Sequence, residues 1–345
     1  MNIFFKGYCN WLKIVLDDYK RYVFFIFCFS WLSVELNAQS TTGITGKPDT
    51  SYSTYSAYIN TKNTHPGIKI AEEFHSPSVN EIKDIVYCTT GDRKLLLDVF
   101  YPADKNKNSG IAIMIIHGGG WRTGNRTQHY PLAQRLANLG YTCFTPEYRL
   151  STEALYPAAV NDLKAAIKWV RSHAKEYDSN AAKLVVAGFS AGGELAAFIG
   201  NTNDNKNFEG KDCLNNVSSQ VQAIVDIDGT LSFIHPESGE GDDSKQTSAA
   251  TYWFGYAKKD NSELWKQASP LTYAGAHSVP TLFLNSSVER MHAGRNDYIK
   301  ILNQHAIYSE VKTFEGAPHS FCLFHPWFEP TVKHIDDFLK TVFKK

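Results

Sequence analysis

The segment around Ser190 constrains the fold of this chain more than any other. Residues 188–192 read Gly-Phe-Ser-Ala-Gly, a G-x-S-x-G motif. An apolar, β-prone run at 183–187 precedes it, and a helix-forming run at 194–199 follows it. A strand, a sharp turn and a helix place a serine hydroxyl at the apex of the turn, open to substrate. The sequence therefore predicts that Ser190 is a nucleophile and that a helix beginning at Ala191 points free N–H groups toward it.

A second motif, His-Gly-Gly-Gly-Trp at residues 117–121, follows an apolar run at 111–116 that predicts a buried strand. Successive glycines let backbone N–H groups approach a ligand closely, as an oxyanion hole requires. His117 is better suited to a structural hydrogen bond within this loop than to the role of catalytic base. We predict three oxyanion-hole donors, the N–H groups of Gly119, Gly120 and Ala191.

Strand and helix patterns alternate through the rest of the chain. Apolar runs at 141–145, 221–227 and 280–284 and a short run at 311–314 predict further strands. Helical patterns cover residues 131–139, 158–173, 297–305 and 332–342. This alternation predicts an α/β protein with a mostly parallel central sheet flanked by helices, and a site at the carboxyl ends of the strands.

From about residue 85 to residue 343, the chain resembles an α/β-hydrolase of the esterase and lipase type. The matching segments are 117–121, 146–150, 156–159, 188–193 and 316–321. Within that superfamily it most resembles secreted carbohydrate esterases, which hydrolyse acetyl, feruloyl or methyl esters on plant polysaccharides. Segments 283–287, 291–295 and 227–238 resemble a subgroup that includes pectin methylesterases. The resemblance implies the α/β-hydrolase fold with a cap insertion, at about residues 230–280.

The resemblance also implies a triad in the order Ser, acid, His, with His319 as the base in the loop after the last strand. Two carboxylates compete for the acid. Relatives often carry His-Gly-x-x-Asp after the strand that ends near Leu284, and Glu289 falls at that Asp position. Asp228 follows the preceding strand, a known variant of the fold, and we favour it because Gly229 makes a tight polar turn. Less favoured carboxylates are Asp226 and Asp297.

Substrate recognition is predicted at a loop that carries Arg290, His292 and Arg295, with Trp121 as a further contact. Arginine binds carboxylates bidentately, and pectin presents a carboxylate on each unesterified galacturonate. The alternative is that these arginines pair with Glu289 or Asp297. Aromatic residues of the insertion either stack on sugar rings or pack the cap.

These features predict a serine carboxylester hydrolase that removes methyl esters from pectin (homogalacturonan) through an acyl-enzyme. Acetyl xylan esterase or feruloyl esterase activity is the alternative. A peptidase of the same fold and a non-catalytic binding protein are the other classes. The histidines form no metal-ligand pattern, so we predict neither a metal nor an organic cofactor. With 35 basic and 35 acidic residues the chain is formally neutral, and nucleic acid is not a predicted partner.

The first residues predict export. Lys20 and Arg21 precede an apolar stretch at 22–32, and Leu-Asn-Ala at 36–38 resembles a cleavage site. We therefore predict a signal peptide at 1–38, with a signal anchor as the alternative, and a mature chain in the periplasm or outside the cell without a membrane span. Residues 39–78 are predicted to be a linker or surface arm, and 79–345 the catalytic domain. The cysteines predict no particular disulfide.

Overall fold

A computed structural model describes residues 39–203 and 205–344; the predicted signal peptide lies outside the described residues. The strands in this part of the chain are β1 (Lys69–Ile70), β2 (Val79–Thr90), β3 (Arg93–Pro102), β4 (Ala112–Ile116), β5 (Thr142–Pro146), β6 (Leu184–Phe189), β7 (Ala223–Ile227), β8 (Thr281–Asn285), β9 (Ser309–Thr313) and β10 (Phe324–His325). The α-helices are α1 (Thr54–Thr61), α2 (Tyr130–Asn138), α3 (Ala158–His173), α4 (Ala191–Asn201), α5 (Ala249–Phe254), α6 (Ser262–Gln267), α7 (Arg295–Gln304) and α8 (Phe328–Phe343).

Eight strands form one sheet in the order β2-β3-β5-β4-β6-β7-β8-β9. The pairs β2–β3 and β3–β5 are antiparallel, and every pair from β5 to β9 is parallel. The prediction of a mostly parallel sheet is confirmed. The hairpin β2–β3 was not predicted, and it extends the sheet on the side away from β9.

The central strands are buried on both faces because helices cover each side of the sheet. Along β4, Met114 and Ile116 contribute to one hydrophobic core, and Ile113 and Ile115 to the other. This alternation follows from the two-residue period of a strand. Helices α3 and α4 pack on the first face, and α2 and α8 pack on the second. The carboxyl ends of the parallel strands are thereby fixed side by side at one edge.

A cap segment between β7 and β8 contains α5 and α6. Its large rings, those of Trp253, Phe254 and Trp265, are fully buried, and they lie against one another and Phe233. These rings therefore pack the cap and present no face on which a sugar ring could stack.

Residues 39–78, which we call the N-terminal arm, pack on the rest of the domain. Helix α1 begins with a capping box in which Ser53 and Ser56 exchange hydrogen bonds. Strand β1 pairs with β10 in an antiparallel ribbon. The Gln39 amide donates to the Phe254 carbonyl at 2.8 Å. The arm thus makes specific contacts at both of its ends.

Two further features bear on the environment of the protein. Cys88 and Cys213 form a disulfide that joins β2 to the loop after α4, while Cys143 and Cys322 are free and buried. Within residues 39–203 and 205–344, none of the helices has the length and apolar character needed to span a bilayer.

Candidate active site

Ser190 lies in a strained turn between β6 and α4. Its φ of 57° and ψ of −121° lie in a region that a residue with a side chain rarely adopts. The flanking glycines are sterically required: a Cβ on Gly188 would lie 2.0 Å from the Gly192 carbonyl oxygen, and one on Gly192 would lie 2.3 Å from that of Ile116. Helix α4 therefore starts directly against the ends of the strands. Its first residue is Ala191, as the sequence predicts.

Ser190, His319 and Asp228 are joined by two hydrogen bonds. His319 Nε2 lies 2.8 Å from Ser190 Oγ, and its Nδ1 lies 2.9 Å from Asp228 Oδ2. The second carboxylate oxygen, Oδ1, accepts the backbone N–H of Ser286 at 2.8 Å. Asp228 is fully buried and has a left-handed backbone, with φ of 53°. This arrangement favours the tautomer with a proton on Nδ1, which leaves Nε2 free to accept the serine proton.

The structure brings Asp228, and not Glu289, to His319. Glu289 is exposed at the start of the short 3₁₀ helix Glu289–His292. Asp226 is buried within β7, two residues before Asp228, and accepts the Gly229 N–H at 2.7 Å. Asp297 lies on the exposed first turn of α7, 3.7 Å from His235.

The glycine loop after β4 lies against the serine turn. A Cβ on Gly118 would lie 2.8 Å from the Phe189 carbonyl oxygen and 3.2 Å from Ser190 Cβ. Gly119 has φ of +125°, and a Cβ there would lie only 2.0 Å from the Thr123 carbonyl oxygen. The N–H groups of Gly119, Gly120 and Ala191 donate no hydrogen bond to any residue within 39–203 and 205–344. Three unpaired donors thus lie on the two segments that meet at Ser190.

His117 supports this loop from inside the protein. The ring is buried, its Nδ1 lies 2.9 Å from the Gly118 carbonyl oxygen, and it stacks on Tyr148 with centroids 4.4 Å apart. Burial lowers the pKa of His117 to about 4. The neutral ring therefore occupies a structural position, as the sequence predicts.

The structure gives Trp121 a different location from the predicted one. Its ring is buried in the cap, stacked on Trp253 with centroids 5.0 Å apart, and its indole N–H donates to Glu194 at 2.9 Å. The prediction of a direct substrate contact at Trp121 is therefore corrected. The residue packs the cap and closes off the loop that carries the glycines.

Arg290, His292 and Arg295 line a cleft of about 700 Å³. Arg290 lies 3.6 Å from Glu240, and Arg295 donates to Asn285 at 2.6 Å, so neither forms the predicted alternative pair with Glu289 or Asp297. His292 Nε2 lies 3.9 Å from Asp228 Oδ1. Burial lowers the pKa of His292 below its usual value. The cleft therefore adjoins the acid member of the hydrogen-bonded triad.

No group of three or more His, Cys, Asp or Glu side chains that could hold a metal ion occurs within the described ranges. Sequence reasoning missed Glu194 and the proximity of His292 to Asp228. The available signal for Glu194 was a carboxylate inside an otherwise apolar helical run.

The sheet, the serine turn and the order of the triad residues along the chain define an α/β-hydrolase. The chain belongs to the BD-FAE family, an α/β-hydrolase esterase family whose model matches residues 97–291, more than half of the 345 residues.

Similar proteins agree with this class. Esterase LipQ of Mycobacterium tuberculosis is 29% identical over 223 residues, which cover 63% of this chain and 51% of that protein. The probable carboxylic ester hydrolase LipM of the same organism is 30% identical over 232 residues, covering 64% of this chain and 49% of LipM. The chain therefore spans about half the length of these relatives.

Among solved structures, a truncated carbohydrate esterase from gut microbiota superposes with a TM-score of 0.65 at 21% identity. The superposition covers 78% of this chain and all of the other. It confirms the α/β-hydrolase fold, and the names of the relatives support the prediction of a hydrolase that acts on ester bonds.

Proposed function

We propose that the protein is a serine carboxylester hydrolase that removes methyl esters from pectin through an acyl-enzyme. One observation carries the catalytic part of this proposal. The Ser190–His319–Asp228 hydrogen bonds, of 2.8 and 2.9 Å, end beside three unpaired backbone N–H groups. A nucleophile, a base and an anion-binding pocket at one point are what acyl transfer requires.

The proposed reaction has two halves. His319 Nε2 takes the proton of Ser190 Oγ as that oxygen attacks the ester carbonyl, and Asp228 stabilises the imidazolium through Nδ1. The negative charge that develops on the carbonyl oxygen is stabilised by the N–H groups of Gly119, Gly120 and Ala191. Protonation by His319 releases methanol and leaves the acyl group on Ser190. Water then attacks with His319 as base, and the free carboxylate is released.

The substrate part of the proposal is supported by the cleft beside Asp228. Glu237 and Glu289 line the cleft together with Arg290 and Arg295, and Arg290 lies 3.6 Å from Glu240. Arg295 makes no ion pair with a carboxylate of the described residues, so it is the cation best placed to bind the carboxylate of a demethylated galacturonate next to the reacting ester. A neutral acetylated xylan offers no such group. The carbohydrate esterase that superposes on this chain is related in fold, at 21% identity, so the choice of pectin rests on the charges in the cleft.

We also propose that the protein acts outside the cytoplasm. The Cys88–Cys213 disulfide supports this location because disulfides persist mainly in oxidising compartments. The expected signal sequence at residues 1–38 points the same way. Export would bring the enzyme to polymers that cannot enter a cell.

The test is the release of methanol and acetate from a panel of pectins and acetylated xylans, with p-nitrophenyl acetate as a generic ester. Wild type is compared with Ser190→Ala, for which we expect a loss of about 10⁴-fold or more in kcat. Methanol from pectin by wild type alone would support the proposal.

Three other outcomes would contradict parts of it. Acetate without methanol would favour acetyl xylan as the substrate and leave the ester chemistry intact. Turnover of peptides alone would favour a peptidase, and inactivity on every ester and peptide would favour a non-catalytic binding protein.

A further inference from the structure

Glu194 is a buried carboxyl group that the proposed reaction does not use. It lies on the first turn of α4, and its backbone N–H donates to the Ser190 carbonyl at 3.0 Å. Its side chain is fully buried, and its Oε2 accepts the indole N–H of Trp121 at 2.9 Å. The other oxygen, Oε1, has no hydrogen-bond partner within the described part of the chain. One residue therefore contacts both the serine turn and the end of the glycine loop.

Trp121 requires such a partner because its backbone is strained. Its φ of 56° lies in the left-handed region, which is a true outlier for a bulky residue. Strained conformations persist only where the surroundings fix them. Trp121 directly follows Gly120, one of the three unpaired donors, so any relaxation of its backbone would change the direction of that N–H group.

The cap holds the other face of Trp121. The ring stacks on Trp253 with an angle of 9° between planes and also contacts Phe233, with centroids 5.3 Å apart. Apolar packing of this kind holds the ring by shape and has little directional preference within the ring plane. The hydrogen bond to Glu194 adds such a preference because it is directional.

We infer that Glu194 is a positioning residue of the oxyanion hole, because it ties Trp121, and with it the Gly119–Gly120 loop, to the first turn of the nucleophile helix. The inference rests on the proposed function, since it assigns Glu194 to the donor pocket of that reaction. Glu194 touches no reacting atom. It acts through the relative positions of the Gly119 and Gly120 donors and the Ala191 donor.

A neutral side chain suits this role. Burial, reinforced by the nearby Asp226, raises the pKa of Glu194 well above its usual value and so favours the protonated carboxyl group. A glutamine has nearly the same shape and keeps a carbonyl oxygen that can accept from Trp121. Glu194→Gln is therefore the conservative variant, and Glu194→Met is the variant of similar length that lacks an acceptor.

The experiment measures how fast a fluorophosphonate probe labels Ser190, together with kcat and KM for p-nitrophenyl acetate. The variants are Glu194→Gln, Glu194→Met and Trp121→Phe, the last of which keeps a ring and removes the N–H group. We expect Glu194→Met and Trp121→Phe each to lower the labelling rate and kcat by about 10- to 100-fold, with little change in KM. Glu194→Gln should retain most of both rates. The double variant Glu194→Met/Trp121→Phe should be no slower than either single variant, because both remove the same bond.

Asn201→Leu is the matched control. Asn201 is buried at the other end of α4, where it bonds to Tyr298 and Ser278. Its replacement should lower the melting temperature without changing the labelling rate of the folded protein. If Glu194→Met fails to fold, Trp121→Phe still removes the bond by deleting a single N–H group.

Three outcomes would overturn the inference. Labelling rates of the folded variants equal to wild type would show that the bond does not position the donors. Losses equal to that of Asn201→Leu would indicate a general effect on stability. A wild-type protein that is inert to the probe would contradict both this inference and the proposed function.

A wild-type protein that hydrolyses p-nitrophenyl acetate but not pectin would contradict only the proposed substrate, and the test of Glu194 would remain valid.

Discussion

The two sides of the candidate site are built differently. On the side of Ser190, close backbone contacts, buried partners and strained turns fix every group. On the side of the cleft, Arg290 is 55% exposed and lies 3.6 Å from its ion-pair partner, Glu240. Long, exposed side chains move at little cost, while a glycine turn packed against a strand cannot. The comparison indicates that substitutions at the catalytic side should act mainly on kcat, and those at the cleft mainly on KM.

The largest expected loss of activity tests which of two carboxylates, Asp228 or Glu289, is the acid of the triad. Asp228→Asn keeps the size of the side chain but favours the wrong imidazole tautomer, so we expect kcat for p-nitrophenyl acetate to fall by about 10⁴-fold. Glu289→Gln is the control, because Glu289 is exposed and His319 Nδ1 is bonded to Asp228 instead. Kinetics of the two purified variants decide the matter: a larger loss for Glu289→Gln would assign the acid to Glu289.

The next effect concerns the glycine loop. A Cβ at position 119 would lie 2.0 Å from the Thr123 carbonyl oxygen, so Gly119→Ala must displace the loop and its donors. We expect a loss of about 10²–10³-fold in kcat. Gly91→Ala is the matched control: Gly91 also has positive φ, at +57°, but a Cβ there meets nothing within 4 Å. Equal activity of the two variants would remove Gly119 from the donor pocket.

A smaller effect is expected at the cleft. Arg295→Gln should raise KM for partly demethylated pectin by about 10-fold, because it removes a bidentate partner for a carboxylate. The KM for p-nitrophenyl acetate, which lacks a carboxylate, should change less. Lys105→Gln removes one exposed charge elsewhere and provides the control. If KM rises equally for both substrates, the cleft does not recognise the acidic sugar.

The smallest effect is on stability. Burial lowers the pKa of His117 to about 4 and that of His129 to about 3, from an ordinary value near 6.5. Below pH 6.5 the unfolded chain binds more protons at these sites than the folded chain. The free energy of unfolding therefore decreases as the pH is lowered. We expect each histidine to reduce the free energy of unfolding by about 1 kcal/mol between pH 6.5 and 5.5.

Urea denaturation of wild type and His129→Gln at these two pH values measures the histidine effect. His305→Gln is the control, because His305 is exposed. The His129 variant should lose less stability on acidification than wild type. An identical pH dependence in all three proteins would contradict the prediction.

The same contrast explains how much the sequence could predict. The start of α4 at Ala191 and the full extent of α3, residues 158–173, follow from local patterns and agree with the structure. The hairpin β2–β3 was missed because two register shifts, between Ile82 and Ile85 and between Val86 and Cys88, interrupt the two-residue pattern.

Side-chain placement could be predicted less well. Asp228 and Glu289 follow neighbouring parallel strands, β7 and β8, so both reach the same edge of the sheet. Asp228 has a left-handed backbone and its carboxylate reaches His319; the adjacent Gly229 indicated a turn at this point, but not the direction in which the carboxylate would face. Trp121 was predicted at the wrong place for a similar reason, because its partners Glu194 and Trp253 are distant in sequence.

The N-terminal arm has a practical consequence for anyone who wishes to transplant this domain. Thr61 and His65 of the arm contact Ser320 and Gly316, which lie in the loop that carries His319, with atoms 3.4 and 3.1 Å apart. The family match, residues 97–291, includes neither the arm nor His319. A graft cut to those limits would carry Ser190 and Asp228 into its new host without the histidine or the segment that braces its loop. A portable unit therefore has to include both the N-terminal arm and the loop that carries His319.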